Sequence, residues 1–208
     1  MKKLVLLIFV LFATGSLLSG DAQGEVKKDM EKTTATVETA IFAGGCFWCI
    51  EADLEKVPGV VSVISGYTGG TGENPTYENY ASTGHVEAVE IRYDPAKVSY
   101  GQLLDFFWRH MDPTDAGGQF VDRGLQYRGA IFYLNEEQRV LAEKSKAELA
   151  KSGRFDKPIV TEILKAGKFY PAEEYHQDYY KKSPLRYRFY RSGSGRDSFL
   201  QKAWGGKK

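Results

Sequence analysis

Cys46 and Cys49 are the only two cysteines of this 208-residue chain, and they stand three positions apart in "GGCFWC" with Phe47 and Trp48 between them. Thiols this close in sequence close too small a loop to stabilise a fold much by chain entropy. Three readings compete: a pair of small buried hydrophobes, two ligands of a metal site, and redox chemistry. One CxxC supplies only two ligands. His85, His110 or His176 could be added, but no second Cys or His pair sits at zinc-ligand spacing, so no metal is expected. Redox chemistry is the most economical reading. A cysteine at a helix N-terminus is expected to have a lowered pKa and a larger thiolate fraction. A thioredoxin-like, general thiol-disulfide oxidoreductase would also carry CxxC at a helix start. Its intervening pair is usually small or proline-containing, whereas Phe47 and Trp48 would make an apolar pocket for a small group such as a sulfur-methyl.

The surrounding elements must hold that pair in place. "TAIFAGG" reads as a buried strand leading to Cys46, and "CFWCIEADLEKV" as a helix that stops at Pro58-Gly59, with both cysteines in its first turn. "VVSVISGYTGG" and "VEAVEIRYD" read as strands, and "SYGQLLDFFWRHM" as a helix capped by Ser99. A strand "YRGAIFYL", a helix behind Asn135 that ends near Gly153, and a strand "PIVTEILKA" follow. The order β-α-β-β-α-β-α-β fits an α+β domain, a two-layer ferredoxin-like (split βαβ) arrangement. Long functional loops are expected at 66 to 85 and 112 to 128, and an irregular C-terminal tail after them.

Residues 1–22 combine Lys2, Lys3, an apolar run and small residues around "SGDAQG", the order of a secretory signal peptide. Cleavage is expected after Ala22, which implies an exported protein, periplasmic or otherwise extracytoplasmic, without stable membrane insertion. Residues 23–38 read as a flexible lead-in and 39–208 as one catalytic domain. The net charge of +1 comes from 28 basic and 27 acidic residues. Loss of Lys2, Lys3 and Asp21 leaves 26 of each sign, so charge makes no case for a nucleic-acid partner. No large apolar face is marked, and a monomer is expected.

Six blocks now stand in order along the chain: "GGCFWCIE", "GYTGG", "NPTYENY", "TGHVEAVEIRYDP", "DRGLQYRGAIFY" and "AEEYHQDYY". From about Ala40 to Tyr180 the chain resembles the peptide methionine-S-sulfoxide reductases, the A-type family. The resemblance implies reduction of methionine S-sulfoxide, free or in oxidised proteins, with no bound cofactor and a thioredoxin-like thiol reductant as co-substrate.

It also implies roles for individual residues. Cys46 would attack the sulfoxide sulfur, and Glu87 would protonate the departing oxygen, which requires a carboxyl held neutral by dry surroundings. Without the motif, Glu87 would read as a solvated strand residue. Tyr77 and Tyr127 match the two tyrosines whose hydroxyls bond the sulfoxide oxygen and the acid. Asp122 matches a carboxylate that orders the substrate side, while Phe47 and Trp48 would hold the substrate methyl. His85 and His176 read as structural hydrogen-bonding groups. Attack would leave a sulfenic acid on Cys46. Many family members keep a resolving thiol in a Gly-rich tail, but this tail has none, which leaves Cys49 as the internal candidate.

Overall fold

The computed structural model describes residues 36–205. The expected signal peptide and most of the lead-in lie outside these residues. Strand β1 (Glu38–Gly44) is followed by helix α1 (Phe47–Leu54), a β2 (Val60–Thr68) and β3 (Val86–Tyr93) hairpin, and helix α2 (Tyr100–Trp108). Two short strands, β4 (Gly118–Gln119) and β5 (Asp122–Arg123), precede β6 (Gly129–Tyr133), helix α3 (Glu136–Lys151), β7 (Glu162–Lys165) and β8 (Tyr170–Pro171). Helices α4 (Tyr179–Lys182), α5 (Pro184–Gly193) and α6 (Arg196–Trp204) complete the described chain.

The main sheet runs β7-β6-β1-β3-β2-β8. Its central four strands are antiparallel neighbours, with β3 between β1 and β2 and β6 outside β1. That is the split βαβ order expected from the element pattern, extended by a parallel β7 and a short β8. Ser99 begins α2 with a reciprocal capping box to Gln102, and the Asn135 side chain accepts from the Gln138 amide to begin α3.

Side-chain alternation decides what each face holds. In β1, Ala40 and Phe42 enter the large core under the helices, while Ile41 and Ala43 join Val86, Ala88, Ala130 and Phe132 on the opposite face. Both faces are buried from Ala40 on, and β1 is apolar from that residue to its end. In β3, Val86 and Ala88 face away from the helices, which turns Glu87 to the same side as Val89 and Ile91. One carboxylate therefore points into the helical layer.

Two expectations need revision. The C-terminal part is not irregular: Pro184 occupies the first turn of α5, where its missing N–H costs nothing, and Gly195 at φ 81° turns the chain into α6. The first expected loop is shorter, because β2 continues to Thr68. The second contains the β4–β5 hairpin and a 3-10 turn at Leu125–Tyr127.

Candidate active site

Cys46 ends the turn that joins β1 to α1 and is the residue preceding the helix. Gly45 makes that turn with φ 84°, and a Cβ there would lie 2.5 Å from the Gln119 Cβ. Only glycine allows both the backbone angle and the close approach. Cys49 follows within α1 and is completely buried, whereas Cys46 retains 5% exposure. Both thiols are free, and they share one buried cluster with Ala52 and Tyr187.

Glu87 meets the same helix end from β3. Its Oε2 accepts from the Phe47 amide at 2.9 Å and its Oε1 from the Tyr80 hydroxyl at 3.1 Å. Glu87 is only 2% exposed, so the solvated-strand alternative does not hold. Burial first, and then the nearby Asp122 and Cys49, push its carboxyl up to about 8 against the two hydrogen bonds that favour the anion. A carboxylic acid is thereby protonated at neutral pH.

The expected lowering at Cys46 is not found. Burial pushes this thiol up, and neighbouring Cys49 and Glu87 add to the effect. The physical reason is the loss of water around the sulfur, and although Cys46 stands at the N-cap its side chain makes no capping hydrogen bond that would offset it. Cys49 is instead drawn down to about 7, first by its hydrogen bond with Cys46 and then by Arg196 and Arg191.

A cavity of about 90 Å³ is lined by Cys46, Phe47, Trp48, Tyr77, Glu87, Asp122, Tyr127 and Tyr190. It thus gathers seven of the eight expected site residues and leaves Cys49 behind the wall. A groove of about 560 Å³ beside His85, Leu125 and Val160 is larger but has no thiol, so the chemistry belongs to the smaller cavity. Trp48 stacks on Tyr179 with ring centroids 3.9 Å apart, and its indole N–H donates to His176 Nδ1 at 3.1 Å. An indole nitrogen can only donate, so His176 must present a lone pair at Nδ1. Burial also lowers its pKa, consistent with a neutral ring. His85 pairs with Thr83 instead.

Tyr77 is 42% exposed and stands at the rim, its amide held by Glu173 at 2.9 Å and its ring 4.5 Å from that of His176. Tyr127 lies beside Tyr80 in the 3-10 turn. The hydroxyl bonded to Glu87 is therefore that of Tyr80, rather than either tyrosine singled out from the sequence. Tyr80 sits inside the "NPTYENY" block, so its presence was legible although its direction was not.

Tyr190 is the second residue missed. From α5 its hydroxyl donates to Asp122 Oδ2 at 2.5 Å, and its ring lines the cavity together with Cys46. The turn carrying Asp122 includes Phe120 at φ 57°, a conformation rare for a bulky residue, and the ring of Phe120 seats the Arg196 guanidinium 4.6 Å away. Helices α5 and α6 thus close the back of the site, anchored by Arg191 to Asp53 at 2.7 Å.

Residues 38–208 match the family described as peptide methionine sulfoxide reductase. The peptide methionine sulfoxide reductase MsrA of Bacillus licheniformis is 60% identical over 172 residues, covering 82% of this chain and 95% of the relative. Among solved structures, Mxr1 of Saccharomyces cerevisiae in reduced form aligns with a TM-score of 0.68 and 30% identity, over 76% of this chain and 92% of that one. The same protein in complex with Trx2 aligns at 0.51 and 25% identity, over 73% and 91%. The family match across nearly all of the described chain agrees with a cavity that sets a thiol beside a neutral carboxyl, and the chain belongs to the peptide methionine sulfoxide reductases, enzymes that reduce methionine sulfoxide.

Proposed function

We propose that this enzyme reduces the S epimer of methionine sulfoxide, free or in oxidised proteins, with Cys46 as nucleophile and Glu87 as proton donor. The observation that carries the reading is the opening of the Cys46 thiol and the buried Glu87 carboxyl onto one small cavity. Cys46 sulfur attacks the sulfoxide sulfur while Glu87 passes its proton to the sulfoxide oxygen. Methionine leaves, and the oxygen remains on Cys46 as a sulfenic acid. Tyr77 and Tyr127 supply hydroxyls to that oxygen, and Asp122, with Tyr190, orders the opposite side. Phe47 and Trp48 receive the methyl group and select the sulfur configuration.

Cys49 then attacks the sulfenic sulfur, releasing water and forming the Cys46–Cys49 disulfide. Its low-lying thiolate and its position against Cys46 support this role. A thioredoxin-like reductant restores the thiols, in keeping with the solved complex of the relative Mxr1 with Trx2. The leader-like residues 1–22 support an exported enzyme.

The test is a single-turnover assay of the prereduced chain on both sulfoxide epimers, with free thiols counted before and after. One S-sulfoxide reduced per chain, with both thiols lost, is the expected result. Equal turnover of the R epimer would sink the stereochemical assignment. A Cys49→Ser chain is expected to make one methionine and stop with a trappable sulfenate; full multiple turnover with a thioredoxin-type reductant would remove Cys49 from the cycle.

A further inference from the structure

Cys46 and Cys49 differ in access. Cys46 lines the cavity, while Cys49 is completely buried in a cluster with Ala52 and Tyr187, and its carbonyl faces Arg191 Nη1 at 3.5 Å. A reagent entering from solvent through the cavity therefore reaches only one of these sulfurs.

Arg196 presents a second, independent observation. It is 1% exposed, yet its guanidinium donates only to main-chain carbonyls, those of His110 at 2.6 Å and Gly44 at 3.0 Å. Among the described residues no carboxylate pairs with it, whereas neighbouring Arg191 holds both Asp53 and Asp197. Asp122 feels the Arg196 charge but is bonded to Tyr190. A buried cation without a counter-ion is costly. It lies directly beneath Gly44 and Gly45, under the turn that carries the CxxC pair. A thiolate on Cys49 would complete it.

We propose that the reductant attacks Cys46 Sγ of the Cys46–Cys49 disulfide through the substrate cavity, and that Cys49 leaves as a thiolate stabilised by the buried Arg196. The proposal rests on the reading that Cys49 resolves the sulfenate. The reductant, a protein dithiol, supplies both electrons. Its first thiolate bonds to Cys46 sulfur, the Cys46–Cys49 bond breaks, and the electron pair stays on Cys49. Its second thiol loses a proton to solvent and attacks the mixed disulfide, releasing Cys46 and leaving the reductant oxidised; the enzyme thiols regain their protons from water. A leaving thiol of lower pKa departs faster, so Arg196 acts as a positioning residue for recycling. The other groups facing Cys49 are Asp53 from α1, Tyr187 and Arg191 from α5, and Cys46 and Glu87 at the cavity.

The experiment uses the full chain, oxidised with one equivalent of methionine S-sulfoxide, and a thioredoxin-type protein whose second cysteine is replaced by serine. A thiol count comes first. A free Cys49 at this stage overturns the resolving role and the proposal with it. With no free thiol, the mixed disulfide is trapped, denatured in acid, alkylated in denaturant and sequenced by tandem mass spectrometry, which separates the two cysteines across Phe47-Trp48. Reductant on Cys46 with alkyl on Cys49 is expected, and the reverse pattern overturns the attack site alone.

Arg196→Met is expected to slow mixed-disulfide formation about tenfold. In a Cys46→Ser background it should raise the pH at which Cys49 ionises, followed by ultraviolet thiolate absorbance because the buried sulfur is closed to reagents, by about one unit. Arg196→Lys, which keeps the charge, should restore most of both and serves as the comparison if the methionine variant does not fold. An unchanged thiolate titration in folded Arg196→Met, or a lysine variant no faster than methionine, overturns the role of Arg196.

Discussion

The Glu87 carboxyl accepts a hydrogen bond from the Phe47 amide, 2.9 Å away, although forty positions separate them in the chain. That bond places the proton donor against the first helical residue after the nucleophile. The buried Glu87 also adds to the rise of the Cys46 thiol, so acid and nucleophile influence each other.

Replacing Glu87 by Gln should lower the single-turnover rate about 10²–10⁴-fold, the usual worth of a positioned acid. Cys46 should remain open to alkylation. In the parent enzyme the pH–rate profile should bend downward near pH 8 into an alkaline limb one unit of slope lower, because Glu87 loses its proton there while the raised Cys46 thiol is still gaining thiolate. A stopped-flow pH profile checks both; an alkaline limb that survives in the Gln variant would exclude Glu87 as its source.

Stability should move in the same pH window. The Glu87 carboxyl ionises near 4.5 when unfolded and near 8 when folded, so between these values the native state binds more protons. Its contribution is fully present below about 4.5 and is lost as pH rises to 8. Glu51, raised to about 7, works in the same direction and is common to both proteins. Urea midpoints at pH 5 and pH 8 should therefore differ more for the parent than for Glu87→Gln.

Tyr80 and Tyr77 should separate kinetically. Tyr80→Phe deletes a bond that favours the Glu87 anion, so the alkaline limb should move up by about 0.5–1 pH unit, the equivalent of about 1 kcal/mol. Tyr77→Phe should lower the rate and leave the limb where it is. Equal limbs in the two variants would remove the Tyr80–Glu87 bond from the account.

Gly45→Ala combines a left-handed backbone angle with a Cβ placed 2.5 Å from Gln119. A loss of about 2–5 kcal/mol is expected from the two effects together. Chemical denaturation measures it directly, and a loss under about 1 kcal/mol would mean that the turn relaxes.

Local signals account for much of what was legible. Ser99 and Asn135 announce their helices because a side-chain oxygen three residues before an amide is a local geometry. The split βαβ order follows from the succession of apolar runs, and the CxxC pair stands in one turn whatever lies around it. Glu87 was harder, because the alternation of "VEAVEI" gives its face but not what covers it. Burial under α1 turned a carboxylate into an acid and raised, instead of lowering, the Cys46 thiol.

Chain-local chemistry thus determined the elements, the turn glycine, the thiol pair and the motif residues. Only the tertiary structure decided that Tyr80 holds the acid, that Tyr190 is bonded to Asp122 in the wall of the cavity, and that a tail without cysteine returns as helices carrying Arg191 and Arg196 to the back of the site. These contacts join residues 7 to 152 positions apart. Their directions depend on how helices pack upon the sheet, and the resulting loss of water sets the charge state of each group.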